Sequence, residues 1–523
     1  MRRHLLPVLA LMLVLSTTPA LAELQNVIVG GQIRIRGNYF TSLPTDINKP
    51  GLRWPADLLI GRSIGTGEDF NAPGVVGLFG WDDDENALDF VEHRTRLNVK
   101  ADFSNQVGVF IEFDAYDTWG EDFRSDYITG ADSLTGTNDD IEIYQSYVEA
   151  EEMFGLPLRL RVGRQELSFG SEWLLGVNDV SSFYYGRSFD AARLTYAADL
   201  FSVDVFGAQL AEGGPVEEDE DVWLYGVYGS YLGLEDIVID AYWLWLRDAR
   251  RLSDTNLDWF GEWLEEVLGV DDYDPTNLHT VGVRGAGAIG AFDFEAEFAY
   301  QFGDAHQVGF LFRPYEYGDN TADFDAWAGN LEAGYTFDIP WQPRVWVGGA
   351  YFDGEDNRDI SFWEWLSPFD RPQASVSFNR LFSNWEYTEF FADGEMSNVW
   401  LVRGGVQATP TESIELAAVV TYFDTLEEFD APAHITLGGL RIPLAPALSF
   451  WTMENDSELG IETGLYATYH YSEDLTFEAG WAHLFVDDGL SDGQFVALNG
   501  LGFTGGTSDD DADYLYLETR LEF

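Results

Sequence analysis

Arginines spaced two apart on alternating stretches are the residues of this 523-residue sequence best suited to handling charge. Arg34 and Arg36 alternate with Ile33 and Ile35, Arg94 and Arg96 flank Thr95, and Arg159 and Arg161 alternate with Leu158 and Leu160. That spacing puts both members of each pair on one face of a strand, because successive side chains of a strand point to opposite sides. Arg187 and Arg193 lie at the start of and within another alternating stretch. A guanidinium grips a carboxylate through two parallel hydrogen bonds and stays charged at any physiological pH, so the expected chemistry is anion binding. Arg164 is one residue out of phase with Arg159 and Arg161 and needs a bulge at Gly163 to join them. A second reading stays open beside the first: the arginines brace a wall by pairing with Glu92, Asp102, Glu112, Asp114, Glu142 and Glu149.

Catalysis is not expected. There is no cysteine, hence no thiolate nucleophile and no thiolate metal site. His93, His279, His306, His434, His470 and His483 show no serine or carboxylate arrangement of a nucleophile motif, so no catalytic residue, metal or cofactor is assigned.

The elements that must hold these arginines follow from the two ends and the periodicity. Met1–His4 is basic, Leu5–Leu15 is apolar, and Ala20-Leu21-Ala22 ends a run of small residues, so 1–22 reads as a removable signal peptide before a mature domain at 23–523. No later stretch reaches the ~20 uncharged residues of a spanning helix, so any membrane role belongs to a barrel. Eighteen alternating segments are read, near 26–40, 90–103, 107–118, 140–154, 158–168, 187–197, 200–212, 222–232, 237–248, 277–288, 290–302, 325–339, 343–353, 398–408, 412–425, 458–471, 475–486 and 511–523.

The connections alternate between very short and long. Ser104–Gln106, Ala198–Asp199 and Ser472–Asp474 are short, whereas 41–89, 169–186, 354–397 and others are long and acidic. This pattern predicts an all-β fold: one transmembrane antiparallel β-barrel of about 18 strands, with short periplasmic turns and long acidic extracellular loops, in a Gram-negative outer membrane. In the second segment Val91, Thr95, Leu97 and Val99 are expected outward, and Glu92, Arg94, Arg96, Asn98 and Lys100 towards a wet lumen. The last segment repeats the rule, with Leu515, Leu517 and Phe523 outward and Tyr516, Glu518 and Arg520 inward. Aromatics near strand ends, among them Tyr144, Tyr228, Trp243, Trp245, Trp346, Tyr351, Trp400, Tyr466 and Trp481, supply candidates for interfacial girdles. Phe260, Trp263, Leu264, Val267 and Leu268 fall at helical spacing, which predicts a short helix at the barrel mouth.

The charge balance sharpens the argument. Asp and Glu number 91 against 28 Lys and Arg, a formal net charge of -63, and loss of Arg2 and Arg3 makes the mature chain more acidic still. Lys49 and Lys100 are the only lysines, and the arginines concentrate on strands while the loops carry acidic runs such as Asp82–Asp84, Glu217–Asp221 and Asp509–Asp511. These runs are expected to be solvated, and none has the spacing of a defined calcium loop. No nucleic-acid partner is expected.

Arg161-Val162-Gly163-Arg164-Gln165, followed by Arg187-Ser188-Phe189-Asp190-Ala191-Ala192-Arg193-Leu194, resembles the alginate export outer-membrane proteins. The resemblance is closest over 90–212. It implies a monomeric eighteen-stranded barrel whose arginine-lined constriction passes an anionic uronate polysaccharide. It also implies that Arg94, Arg96, Arg161, Arg164, Arg187 and Arg193 belong to the lumen belt, with Asp190 as a local counter-charge. The last full turn, Ser472–Asp474, is short, so occlusion of the pore is expected from extracellular loops such as 41–89 and 354–397. The other function kept open is a general or differently selective porin for small solutes. Expected partners are outer-membrane lipid and lipopolysaccharide, the transported solute, and the barrel assembly machinery that reads the aromatic carboxy terminus.

Overall fold

A computed structural model describes residues 23–41, 87–119 (except 105), 141–180, 184–212, 221–249, 275–304, 322–354, 374–376, 378–390, 398–426, 456–491 and 511–523, with short backbone pieces within 431–453 and 494–505. The signal-peptide reading, the helix expected near 260 and most of the acidic runs lie outside the described residues.

The wall consists of eighteen antiparallel strands. They are β1 (Leu24–Phe40), β2 (Leu88–Phe103), β3 (Val107–Thr118), β4 (Glu142–Ala150), β5 (Leu158–Gln165), β6 (Phe189–Ala197), β7 (Phe201–Ala211), β8 (Val222–Leu234) and β9 (Ile237–Asp248). After them come β10 (Thr276–Ile289), β11 (Phe292–Asp304), β12 (Ala322–Thr336), β13 (Arg344–Phe352), β14 (Val399–Thr411), β15 (Ile414–Thr425), β16 (Glu458–His470), β17 (Leu475–Val486) and β18 (Ala512–Glu522). Each pairs with the next, and β18 returns to β1 through the register Gln32↔Glu522 to Phe40↔Tyr514. Closure satisfies every strand's backbone donors and acceptors, the condition for crossing hydrocarbon with strands.

The two faces separate as the alternation predicts. Leu97, Leu515, Leu517 and Phe523 are exposed on the outside, whereas Glu92, Arg94, Arg96, Tyr516 and Glu518 are buried inside. The girdle reading needs sorting by face. Trp243 and Trp245 stack with His279 on the outer surface, and Trp327 stacks on Tyr351 with ring centroids 4.0 Å apart. Tyr144, Tyr228 and Trp346 instead point inward and are buried. Several segments end earlier than alternation suggests: β4 stops at Ala150, before a 3₁₀ turn at Met153–Gly155, and β5 stops at Gln165.

Eighteen strands enclose a lumen too wide to be filled by wall side chains alone. Two connections fill it. Residues 166–180 and 184–188, between β5 and β6, and residues 378–390, between β13 and β14, put Trp173, Leu174, Leu175, Phe378, Tyr387 and Phe390 into one buried cluster with wall residues such as Phe206, Phe352 and Leu401. Of the loops expected to occlude the pore, 354–397 reaches the lumen through residues 378–390, and the described part of 41–89 is limited to Thr41 and 87–89. The β5–β6 connection, expected among the long extracellular loops, folds back into the lumen, because the apolar run Trp173-Leu174-Leu175 would otherwise face water.

Candidate lumen site and its two inward loops

Strand register creates the central electrostatic problem. Arg34 of β1 lies directly across from Arg94 of β2 on one side and Arg520 of β18 on the other. Three like charges in a row on adjacent strands repel unless anions sit over them. Two carboxylates do so. Glu518 receives Arg34 at 2.9 Å, Arg36 at 3.2 Å and Arg520 at 2.8 Å. Asp179, carried by the β5–β6 loop, receives Arg94 at 2.5 Å and Arg34 at 3.3 Å.

The rest of this cluster holds the guanidinium groups in place. Arg94 also donates to the Tyr184 carbonyl at 2.7 Å and to Gln32 at 2.6 Å, and Arg34 donates to the Asp179 carbonyl at 2.8 Å. The Tyr184 ring lies 3.8 Å beneath the Arg34 guanidinium, and Tyr516 lies 3.9 Å from that of Arg36. Arg96 pairs with Asp114 at 2.9 Å and stacks over Tyr144. Gly186, at φ +85°, brings the loop's return leg against Arg96 and Tyr144, where a Cβ would collide with both.

Register repeats the problem nearer the periplasmic mouth, where Arg161 of β5 opposes Arg193 of β6. Glu149 accepts both Nε and Nη2 of Arg161, at 2.8 and 2.6 Å, and stands 3.8 Å from Arg159. Arg193 pairs with Asp204 at 2.8 Å and lies over Phe169 of the inward loop. Thus the bracing reading holds for Arg96 with Asp114 and Arg161 with Glu149. Glu92 accepts from Asn38 and Tyr116, and Glu112 accepts from Gln145.

Arg187 is different. Among the described residues it has no carboxylate partner, its Nη1 is buried without a hydrogen bond, and its guanidinium rests 5.3 Å from the Phe382 ring. Burial pulls its pKa down to about 10, so it remains a cation at neutral pH.

Arg164 and Asp190 leave the lumen set. They pair with each other at 2.9 Å, both well exposed, on the same parity as the outward Val162 and Leu194. Gly163 does adopt an unusual φ of +130°, but the strand continues in phase: Gln165 turns inward and Arg164 outward, where it donates to the Ile143 carbonyl. The expected bulge therefore does not bring Arg164 to the lumen.

Sequence reasoning missed the loop side chains that complete the site. Trp173 donates from Nε1 to Tyr387 at 2.9 Å, and Tyr387 donates to Asn330 of β12 at 3.0 Å. The two loops share a parallel bridge at Leu175 and Phe382, through Gly176 N to Phe382 O at 2.8 Å and Phe382 N to Leu174 O at 2.9 Å. Asn384 accepts from the Asp179 amide at 2.9 Å and donates to Glu172 at 2.5 Å. Gln301 of β11 clamps Asn379 from both sides, donating to its carbonyl at 2.6 Å and accepting from its amide at 2.8 Å. The far wall, by contrast, is carboxylate-rich: Arg284 faces Asp240 at 2.8 Å, Glu295 at 3.0 Å and Glu297 at 3.9 Å.

A closed barrel, a wall of register-paired arginines and two interlocked inward loops point to a transport passage. Comparison with known families decides the lineage, since alginate export proteins match residues 82–501. The chain belongs to the alginate export family. It is therefore an outer-membrane channel protein, in contact with membrane lipid and a transported solute. Among solved structures, Pseudomonas aeruginosa OccK8 (OprE) is similar at 10% identity over 95% of this chain and 98% of that one, with a TM-score of 0.48. P. aeruginosa OpdQ gives 10% identity, 95% and 98% coverage and a TM-score of 0.46. OmpT of Vibrio cholerae, folded in vitro, gives 10%, 95%, 97% and 0.35. Among curated proteins, none matches the sequence.

Proposed function

We propose that this family member exports an anionic, alginate-like uronate polysaccharide along the arginine-bearing side of its lumen. The observation that carries the reading is the row Arg520, Arg34, Arg94, which strand register sets side by side. A wall designed only for mechanical bracing gains nothing from opposing like charges, whereas a polymer bearing one carboxylate per sugar is matched by cations repeated along its path. Arg36, Arg96, Arg159, Arg161, Arg187 and Arg193 extend that path above and below the row. A low-dielectric passage strengthens their field on a passing anion. In this reading the chain works as a monomer, residues 1–22 direct export, and the terminal strand ending in Phe523 is read by the barrel assembly machinery.

A second reading, a porin for other small solutes, draws support from the opposite wall, where Asp240, Glu295 and Glu297 outnumber Arg284. Reversal potential of the refolded mature protein in planar bilayers under a salt gradient separates the two. Anion-selective current that polyuronate blocks is the expected result. Cation-selective current indifferent to polyuronate would give the carboxylate wall control and remove the polysaccharide reading.

A further inference from the structure

Arg34 and Arg94 form a carboxylate-binding pair whose present occupant comes from the protein itself. Both guanidinium groups are almost fully buried, with side-chain exposures of 2% and 1%, whereas the Asp179 carboxylate above them is 30% exposed. Asp179 does not belong to the wall. It rides on the β5–β6 loop, and that loop is tied to the β13–β14 loop through Asn384 and the Leu175–Phe382 bridge. One half-buried carboxylate thus caps two buried arginines and, through its own backbone, joins both loops that fill the lumen.

We propose that Asp179 is a built-in surrogate for the solute: a uronate carboxylate entering the lumen exchanges with it on Arg34 and Arg94, and this exchange releases the loops. The inference rests on the anionic-polysaccharide reading above. Three features fit an exchangeable contact. The incoming carboxylate replaces the charge-assisted hydrogen bonds of the Asp179 side chain, so the arginines keep an anion over them, and only the bonds to the Asp179 and Tyr184 carbonyls leave with the loop. The Tyr184 ring, 3.8 Å from the Arg34 guanidinium and 5.3 Å from that of Arg94, and the Tyr184 carbonyl orient both forks while the loop is docked, and Gln32 on β1 still holds Arg94 once it parts. Glu518, bound to Arg34 from the wall side, stays behind and keeps the site from becoming strongly cationic during exchange.

The channel therefore has two ligands for one site, one tethered and one free. A single sugar acid competes poorly with a tethered carboxylate because tethering raises local concentration, but a polymer presents many carboxylates along one chain and regains that advantage. Neutral sugars of the same size are excluded from this key, whatever their fit to the lumen.

The test uses the full mature protein in planar bilayers, recorded with sodium chloride alone and with oligoguluronate, sodium glucuronate or glucose added. In the wild type, open probability is expected to rise with oligoguluronate, to rise less with glucuronate and to stay unchanged with glucose. Asp179→Asn keeps the shape and removes the charge. It is expected to open about tenfold or more often without any sugar acid, the scale of lost charge-assisted hydrogen bonds, and to gain little from uronate. Asp179→Glu should restore uronate-dependent opening. Amide hydrogen exchange of residues 166–180 in the wild type gives a second reading independent of any variant: oligoguluronate should raise it several-fold over chloride of equal ionic strength. If Asp179→Asn stays as closed as the wild type, or if uronate leaves exchange over 166–180 unchanged, the surrogate is overturned. Anion selectivity of the wild-type open events would then preserve the polysaccharide reading, whereas cation selectivity would remove both.

Discussion

The two loops that meet in the lumen are anchored by different physics. The β5–β6 loop is fixed to the wall mainly through charge, by Asp179 on Arg34 and Arg94 and by Phe169 under Arg193. The β13–β14 loop is held mainly by hydrogen bonds from neutral donors: Gln301 on Asn379, Tyr387 on Asn330, and Thr388 with the Glu389 amide on Glu462, while the Glu389 carboxyl itself lies near Arg36 and Arg403. A charged anchor can be exchanged for another ion of the same sign, while a buried neutral network must be broken to move, leaving unsatisfied groups behind. The difference casts the first loop as the responsive partner and the second as the fixed seat.

The strongest way to break that comparison is to remove what joins the two loops. Trp173 is only 1% exposed, packs on Phe352 and Phe378, and donates to Tyr387. Trp173→Ala should cost about 3–5 kcal/mol of loop docking, the range for large buried aromatics. Because the wall is self-contained, heat-modifiable mobility of the barrel on gels should survive while single-channel conductance rises and loses its response to uronate. Unfolding of the whole barrel would show that the loops support the wall.

pH separates the anchors next. Burial tends to raise the Asp179 carboxyl, but Arg94, Arg96 and Arg34 outweigh it and hold it below the usual value. A depressed carboxylate contributes stability above its unfolded pKa of about 3.9, and this is lost as pH falls through the lower folded value, so acid frees the β5–β6 loop only well below pH ~4. Glu389 behaves oppositely. Burial raises it, against the nearby Arg36, Tyr466 and Arg403. Its contribution to docking is full below about pH 4.3 and is lost as pH rises through its raised folded value. Hydrogen exchange should therefore show residues 378–390 loosening on the alkaline side and residues 166–180 on the acid side. Parallel pH profiles would erase the distinction between the loops.

The smallest effect sharpens the boundary of the site. Arg164→Gln breaks an exposed pair outside the lumen, so stability should change by at most about 1 kcal/mol and reversal potential not at all. Arg193→Gln, one strand away on the inner face, should shift the reversal potential towards cations in the same assay.

These residues also show how far sequence alone reaches. The strands and their faces were legible because alternation is a local property: Glu92, Arg94 and Arg96 point inward as their spacing requires. Register was not legible, and it is register that places Arg34 beside both Arg94 and Arg520. Arg164 failed for a related reason, since a glycine with positive φ alters the strand's twist without changing which side the next residue faces. The loops carried a weaker signal. Trp173-Leu174-Leu175 is an apolar run where a solvated connection was expected, and burial of such a run was the available clue. Asp179 carried none, because a lone aspartate in an acidic chain acquires meaning only from the arginines the fold puts beneath it.

An anionic polymer is expected to pass only when the two loops part. The chain has no cysteine, so Leu175→Cys with Phe382→Cys can clamp the bridge between the loops without competing thiols. Flux of labelled oligoguluronate and of a neutral oligosaccharide of equal length would be measured into proteoliposomes carrying this variant, oxidised and then reduced. The account predicts no polymer flux when oxidised and uronate-selective flux after reduction. Equal flux of both oligosaccharides, or uronate flux that ignores the cross-link, would contradict it.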